Sequence, residues 1–350
     1  MALDDELLAH HITTIKHAAA LGWTAEPYIE AMKDAIRKKV SGFDSDKRTA
    51  KRLEKLIKDL AEVLGYQAAG WQEQLRSDLK AFAEYEANYQ ANVMGEWLKM
   101  DLVAPSLEQV WAAATFEPMS LGQGPVDFPK LADDWGSDEV ARLTMGVKSG
   151  FVQGHSIKRI IKEVVGAGGL ADVSERNAMT VAQTMIAHVA SEARMETYAE
   201  NSDVVIGYRW VSTLDSRTSN FCRAMDGKKI KWADKVKPKP PAHYRCRSST
   251  APLLDEEFDF LDEGAERASR GADGGKPVSA NLSYYQWLKT QPAGFQDEVL
   301  GVTKGKIFRN SGLDAEEFRA ITVDDLGRPL TLTEMGERDK RVSDYLKAMR

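Results

Sequence analysis

The stretch DSRTSNFCRAMDG, residues 215–227, and the stretch PPAHYRCRSST, residues 240–250, hold the chain's two cysteines, Cys222 and Cys246, and place His243 three residues before the second. A thiolate from the first stretch and a His-x-x-Cys pair from the second are three donors of the kind zinc accepts, with one corner of a tetrahedron left over. Ser219 stands where a cysteine would complete a Cys-x-x-Cys pair with Cys222, and a serine hydroxyl is a poor zinc ligand. Asp215 and Asp226 are the candidates for the fourth corner, and nothing in the sequence selects between them. The same residue types also admit nucleophilic catalysis, with Cys222 attacking, His243 as base and Asp215 or Asp226 orienting the imidazole. As an enzyme, the chain would be a metal-dependent hydrolase or nuclease built on Cys222, His243 and Cys246. It comes without a nucleophile elbow, a Gly-rich phosphate loop or a His-Glu-x-x-His spacing. The third reading is structural: Asp215, Ser216 and Thr218 form turns and helix caps, so the segment ends a strand and starts a short helix carrying Phe221 and Cys222 inward.

Between the two stretches run Lys228, Lys229, Lys231, Lys235, Lys237 and Lys239, followed by Arg245 and Arg247 and opposed by Asp234 alone. A solvated loop is the default explanation. The functional alternative is a contact with nucleic acid or with an acidic protein surface. The net charge of -6 argues against coating nucleic acid through bulk electrostatics, because that mode needs many cations on one face. The other histidines, His10, His11, His17, His155 and His188, fall on expected helices or turns and read as surface or core residues.

The elements that must position these groups are mostly helices. Leu53, Leu56, Ile57, Leu60, Val63 and Leu64 keep a three-four spacing, which predicts a long packed helix with Gly65 as its expected break. An earlier helix carries Leu8, Ile12 and Ile15 on one face and stops near Gly22. A Pro- and Gly-rich loop is expected over residues 104–130, then a helix at Asp138–Lys148. Ser156 caps the next, which stacks Ile157, Ile160, Ile161 and Val164. A further helix runs from Ser174 to Glu200. At Val204 the period changes: Ile206, Tyr208 and Trp210 alternate with Gly207 and Arg209, as in a strand, and Asp226-Gly227 offers a turn between strand-like pieces. Residues 262–282 show no apolar periodicity and predict a flexible linker. Beyond it, Tyr284, Trp287, Leu288, Phe295 and Leu300 anchor a short helical tail. No internal repeat is present.

The expected fold class is therefore α+β, mainly α-helical with a small domain containing a β-hairpin. Its segments are 1–137, 138–203, 204–261, 262–282 and 283–350. A chain of 350 residues, 43% hydrophobic and 29% charged, has the balance of a globular protein of two or three domains. No apolar run reaches the length of a membrane span, and the acidic start MALDDELLAHH differs from a secretory signal, so a cytoplasmic site of synthesis is expected. Two cysteines do not make a disulfide framework.

The run GYRWVSTLDSRTSNFCRAMDGK followed by PPAHYRCRSSTAPL resembles the signature of the phage head-morphogenesis, or Mu F-like, minor head protein family. That signature is a strand ending in Trp, then Asp-x-Arg-Thr, a Cys-bearing turn, Asp-Gly, and after a variable loop Pro-Pro-x-His-x-x-Cys-Arg. It is met by Trp210, Asp215, Arg217, Thr218, Cys222, Asp226, Gly227, Pro240, Pro241, His243, Cys246 and Arg247. The helix before it and the segment SYYQWLKTQPAGFQDEVLGVTKGKIFRNSGL are similar to family segments too, so the resemblance covers about residues 140–335. Many members carry cysteines where Ser219 and Ser248 stand here. That leaves Cys222, His243 and Cys246 as a half-site, for zinc or as a hydrogen-bonded cluster without metal, and directs attention to Arg217 and Arg247 as guanidiniums that knit the turn to a carboxylate.

The resemblance implies a non-enzymatic structural protein of a tailed phage, made in the host bacterial cytoplasm and built into the procapsid in few copies. Its partners would be the portal protein and other head proteins, and its place the virion, in the head interior or at the portal vertex. Some members enter the host with the DNA, which makes a DNA-contacting ejection protein, using the Lys228–Arg247 patch on packaged DNA, the alternative beside the hydrolase or nuclease.

Overall fold

The computed structural model describes residues 2–43, 49–122, 124–324 and 327–349. Two helices, α1 (Leu3–Trp23) and α2 (Glu26–Ser41), precede α3 (Ala50–Leu98), a single helix of 49 residues capped by the Thr49 side chain. Gly65 does not break it. The buried stripe Leu56, Leu60, Leu64, Trp71, Leu75 and Leu79 runs straight past that position, and its burial outweighs the roughly 1 kcal/mol that one helical glycine costs. The stretch expected as a loop holds α4 (Leu107–Phe116), started by a reciprocal Ser106–Gln109 capping box, and then a two-residue ribbon of β1 (Met119–Ser120) and β2 (Pro125–Val126). Gln123, part of that expected loop, lies outside the described residues.

Next comes α5 (Phe128–Val152), which starts ten residues before the expected helix because Phe128, Leu131 and Trp135 already face the core. Then α6 (Ile157–Val165) begins behind Ser156 as expected. The last helix of the body, α7 (Leu170–Glu200), is its central element: residues on every side of its second half are buried, against α1, α3, α4 and α5. At the crossing of α1, α3 and α7 sits the carboxylate of Glu86, fully buried, with His10 Nε2 at 2.6 Å and Arg194 Nε donating at 2.8 Å. Burial pushes the Glu86 carboxyl up, but the Arg194 charge and the His10 hydrogen bond outweigh it and hold the group at about 2.

A three-stranded antiparallel sheet follows, in the order β4 (Lys229–Lys231), β3 (Val205–Val211), β5 (Ser249–Leu254), with Tyr208 opposite Ile230 on one side and Trp210 opposite Thr250 on the other. The Asp226-Gly227 turn does not join two strands directly. A short helix, α8 (Asn220–Met225), intervenes between β3 and β4, and Gly227 takes φ +77° to lead out of it. Gly207 is required by the sheet: a Cβ there would lie 2.2 Å from the carbonyl oxygen of Ile230.

Residues 262–282 do not form a bare linker. After a 3-10 turn at Glu256–Asp262, β6 (Glu266–Gly271) and β7 (Gly274–Ser279) make an antiparallel hairpin. Its inward positions on β6 are Arg267 and Ser269, so the alternation of burial is real but carried by polar residues, and no hydrophobic pattern betrays it. The chain ends in a helical unit rather than a short tail: α9 (Tyr284–Lys289), α10 (Ala293–Leu300), α11 (Val302–Asn310), α12 (Ala315–Ala320), α13 (Leu332–Arg338) and α14 (Lys340–Ala348). These enclose a core of their own around Tyr285, Trp287, Phe308, Phe318, Met335 and Val342. The α+β, mainly helical class stands. No helix among the described residues is long and apolar enough to cross a membrane.

Candidate metal centre

The two separated stretches meet. Ser219 caps α8 by accepting from the Cys222 amide at 3.2 Å, which turns the Cys222 side chain inward. A turn closed by the Cys246 amide on the His243 carbonyl at 3.1 Å, with Arg245 at φ +58°, delivers Cys246 and His243 from the other stretch. Cys222 Sγ lies 3.4 Å from His243 Nε2 and 3.7 Å from Cys246 Sγ, and one ligand atom from each of the three residues falls within 4.8 Å of the others. Both cysteines are free and buried.

The electrostatics are those of a shared proton. The hydrogen bond from Cys222 to Cys246 keeps the proton on Cys222, whose pKa is raised, and the same bond, with help from His243, draws Cys246 toward the thiolate against the cost of burial. The Cys246 sulfur in turn raises the pKa of His243. His243 Nδ1 donates to the carbonyl of Tyr244 at 2.9 Å, which fixes the ring and aims Nε2 at the thiols. This is how a metal-binding imidazole is oriented by its outer partner. Two thiols and one imidazole nitrogen fit zinc as three of its four donors. The hydroxyls of Ser219 and Ser248 both lie against the Cys222 thiol, where they offer hydrogen bonds in place of a further soft ligand. The imidazole edge also forms part of the wall of a cleft of about 910 Å³ shared with Asn220, Val236, Lys237 and Pro241.

Neither aspartate completes the shell. Asp215 is held by Arg247, at 2.5 and 2.9 Å to its two oxygens, and accepts also from the Arg217 amide and the Thr218 hydroxyl. Burial raises its pKa, but the Arg247 bonds win and lower it. Asp226, with no exposed surface, is held by Arg267 at 3.0 and 2.5 Å and by the Ser212 amide at 2.7 Å. Among the described residues the donor group comprises Cys222, His243 and Cys246 alone. Nor is a Cys–His–Asp arrangement formed by these aspartates: among the described residues the group orienting His243 is the backbone carbonyl of Tyr244, while Asp215 and Asp226 are engaged by guanidiniums.

Arg247 knits the turn as expected, whereas the Arg217 side chain is 73% exposed and lies 3.8 Å from Asp215, so its amide does the holding. Trp210 is buried, and its indole N–H donates to the Ser212 hydroxyl at 2.9 Å. Sequence reasoning passed over Ser212, Arg223 and Arg267, and read Tyr284 only as an anchor of the C-terminal helix, not as a contact of the motif. The Tyr284 hydroxyl donates to the Asp215 carbonyl at 2.6 Å and Arg223 donates to the Val299 carbonyl at 2.8 Å, so the C-terminal unit docks on the motif itself. Of the lysines, Lys228, Lys229, Lys231, Lys235 and Lys237 are exposed, while Lys239 pairs with buried Glu192 at 2.7 Å. Burial carries the Glu192 carboxyl up to about 7 in spite of that lysine.

Residues 141–251 match the family model for Phage Mu protein F like protein. The match spans the later part of α5, then α6, α7, β3, α8 and β4, and ends inside β5, leaving residues 252–335 of the wider resemblance outside it. Comparison with curated proteins and with solved structures gives no match.

Proposed function

Because residues 141–251 are a Phage Mu protein F like segment, we propose that the chain is a non-enzymatic head-morphogenesis protein of a tailed phage. It is built into the procapsid in few copies, sits at the portal vertex of the head, and docks on the portal protein. The observation that carries this reading is how the motif's acids are used. Asp215 and Asp226 each close a two-pronged bond with a guanidinium, and these braces tie the turn at 215–218, the loop at 240–247 and the β6–β7 hairpin into one rigid fixture.

Zinc fits the same reading. Cys222, Cys246 and His243 Nε2 would hold it, with a solvent or partner donor at the fourth corner, and the ion would supply a cross-link between α8 and the 240–247 loop. The exposed lysines from Lys228 to Lys237 face outward on β4 and the loop after it, and are proposed to contact an acidic face of the portal. The test is a pull-down of portal protein by the full chain, together with virions assembled without it. Retention of portal at low salt and loss with Lys229→Gln/Lys235→Gln/Lys237→Gln supports the assignment. Virions lacking the chain that match normal ones in DNA content and infectivity refute it.

A further inference from the structure

Behind the thiols, on the side away from His243, a histidine lacks half of its hydrogen bonding. His11 is 9% exposed, and its Nε2 donates to the Arg247 carbonyl at 2.9 Å, since a carbonyl can only accept. Its Nδ1 is buried and has no hydrogen-bond partner among the described residues. The ring borders a cavity of about 50 Å³ enclosed by α1, α7 and the loop at 245–248. Arg194, Arg245 and Arg247 share that lining, and no carboxylate does. A second proton on the imidazole is disfavoured in that company, so Nδ1 presents a bare lone pair.

The charges around the cavity do not cancel. Arg194 is paired with Glu86 at 2.8 Å and Arg247 with Asp215 at 2.9 Å, both carboxylates standing outside the lining. Arg245 has no ion pair among the described residues, so three guanidiniums against two carboxylates leave one positive charge over. Its position is nevertheless fixed: Nε donates to Gln183 at 2.9 Å, and the backbone amide donates to the Thr184 hydroxyl at 3.0 Å. Elsewhere the wall is Ile15, Ala18, Ile186 and Ala190, which offer no counter-charge and strengthen any ion pair made beside them by keeping water out. The Thr14 hydroxyl is committed to the His10 carbonyl, and that of Ser248 lies 3.2 Å from Ser212 Oγ.

The cavity thus asks for an anion at the guanidiniums and for a hydrogen at Nδ1. Water answers the second need and not the first. At 10–15 Å³ for each water the space takes about three to five, which suits one small tetrahedral oxyanion and excludes a nucleotide or a peptide. We propose that it binds protonated orthophosphate, with Arg245 and the edges of Arg194 and Arg247 donating to the oxygens and the phosphate hydroxyl donating to His11 Nδ1. The ion ties α1 to α7 and to the loop that carries Cys246, and the site depends on neither the portal nor the zinc assignment.

The experiment is isothermal titration calorimetry of the full chain with sodium phosphate at about pH 7 and fixed ionic strength, beside sodium sulfate and glycerol phosphate. Orthophosphate should bind at a single site per chain. Sulfate has the same shape and no proton at this pH, so it should bind at least about tenfold more weakly, because a site built around a hydrogen bond rejects the analogue that cannot make it. The monoester should be weaker by a similar factor, since the enclosed cavity has no room for its glycerol arm. Arg245→Gln should lose at least about tenfold in affinity with the removal of a charged hydrogen bond. Arg245 is exposed, so this variant should melt within about 2 °C of the parent when phosphate is absent. Lys229→Gln/Lys235→Gln/Lys237→Gln should bind as the parent does. No binding heat and no rise in melting temperature with phosphate would mean a cavity of water only and overturn the proposal. Equal affinity for sulfate, glycerol phosphate bound as tightly as orthophosphate, or full binding by Arg245→Gln would each overturn it too.

Discussion

Replacing Arg267 by alanine strands a charge. Asp226 has no exposed surface, and Arg267, only 5% exposed, gives it two of its three hydrogen bonds while also donating to the Leu282 carbonyl at 2.8 Å. Removing one member of such a buried pair costs about 3–5 kcal/mol, most of it from the carboxylate left without its counter-charge. Each kcal/mol moves the melting temperature of a unit this size by about 2–4 °C, so Arg267→Ala should melt roughly 6–20 °C below the parent. Arg270→Ala, whose side chain points outward from the same strand, should stay within about 2 °C. Asp226→Ala/Arg267→Ala should recover part of the loss, since no charge is then buried alone. Differential scanning fluorimetry reads all three, and hydrogen exchange localises the effect to the amides of β6 and β7. An Arg267→Ala protein melting within 2 °C of the parent, or hairpin amides in the parent exchanging as fast as a free coil, would refute the brace and restore the linker.

Protein purified from zinc-supplemented medium without chelator should carry about one zinc per chain by elemental analysis, and Cys246→Ala should reduce this to background; a metal-free parent removes zinc from the account and leaves the thiol–imidazole hydrogen bonds as the cross-link. Gly207→Ala should lower the melting temperature by several degrees by forcing β4 off β3, whereas Gly65→Ala, which meets nothing within 4 Å, should raise stability by about 0.5–1 kcal/mol; denaturant titration separates the two signs. Glu86 is held at about 2 against an unfolded value near 4.5, so its stabilisation is complete above about pH 5 and disappears as pH falls toward 2. Glu86→Gln should therefore be less stable at pH 7 and should flatten the acid limb of a stability-against-pH curve between about 4.5 and 2.

What could be read in advance follows from where the information resides. The helices at Ser156 and through Leu53–Leu64 were legible because a cap or an apolar stripe is a local pattern. The meeting of Cys222, His243 and Cys246 was legible because few residue types can do that chemistry. The β6–β7 hairpin was hidden: Arg267 and Ser269 make the inward row, and an arginine reads as outward until its buried partner, 41 residues earlier, is known. The same separation concealed Asp226, which is a plausible ligand by type and an anchor for a distant guanidinium in fact. The helix at Leu107–Phe116 was lost among flanking prolines and glycines although Ser106 and Gln109 announce its start.

The 49-residue α3 has a mechanical corollary. At 1.5 Å per residue it is a strut of about 74 Å, between three and four times the width of a DNA duplex. A load applied at Thr49 reaches Leu98 without crossing a joint. Anything bound beside its first turn is therefore kept at a fixed stand-off from the thiol fixture.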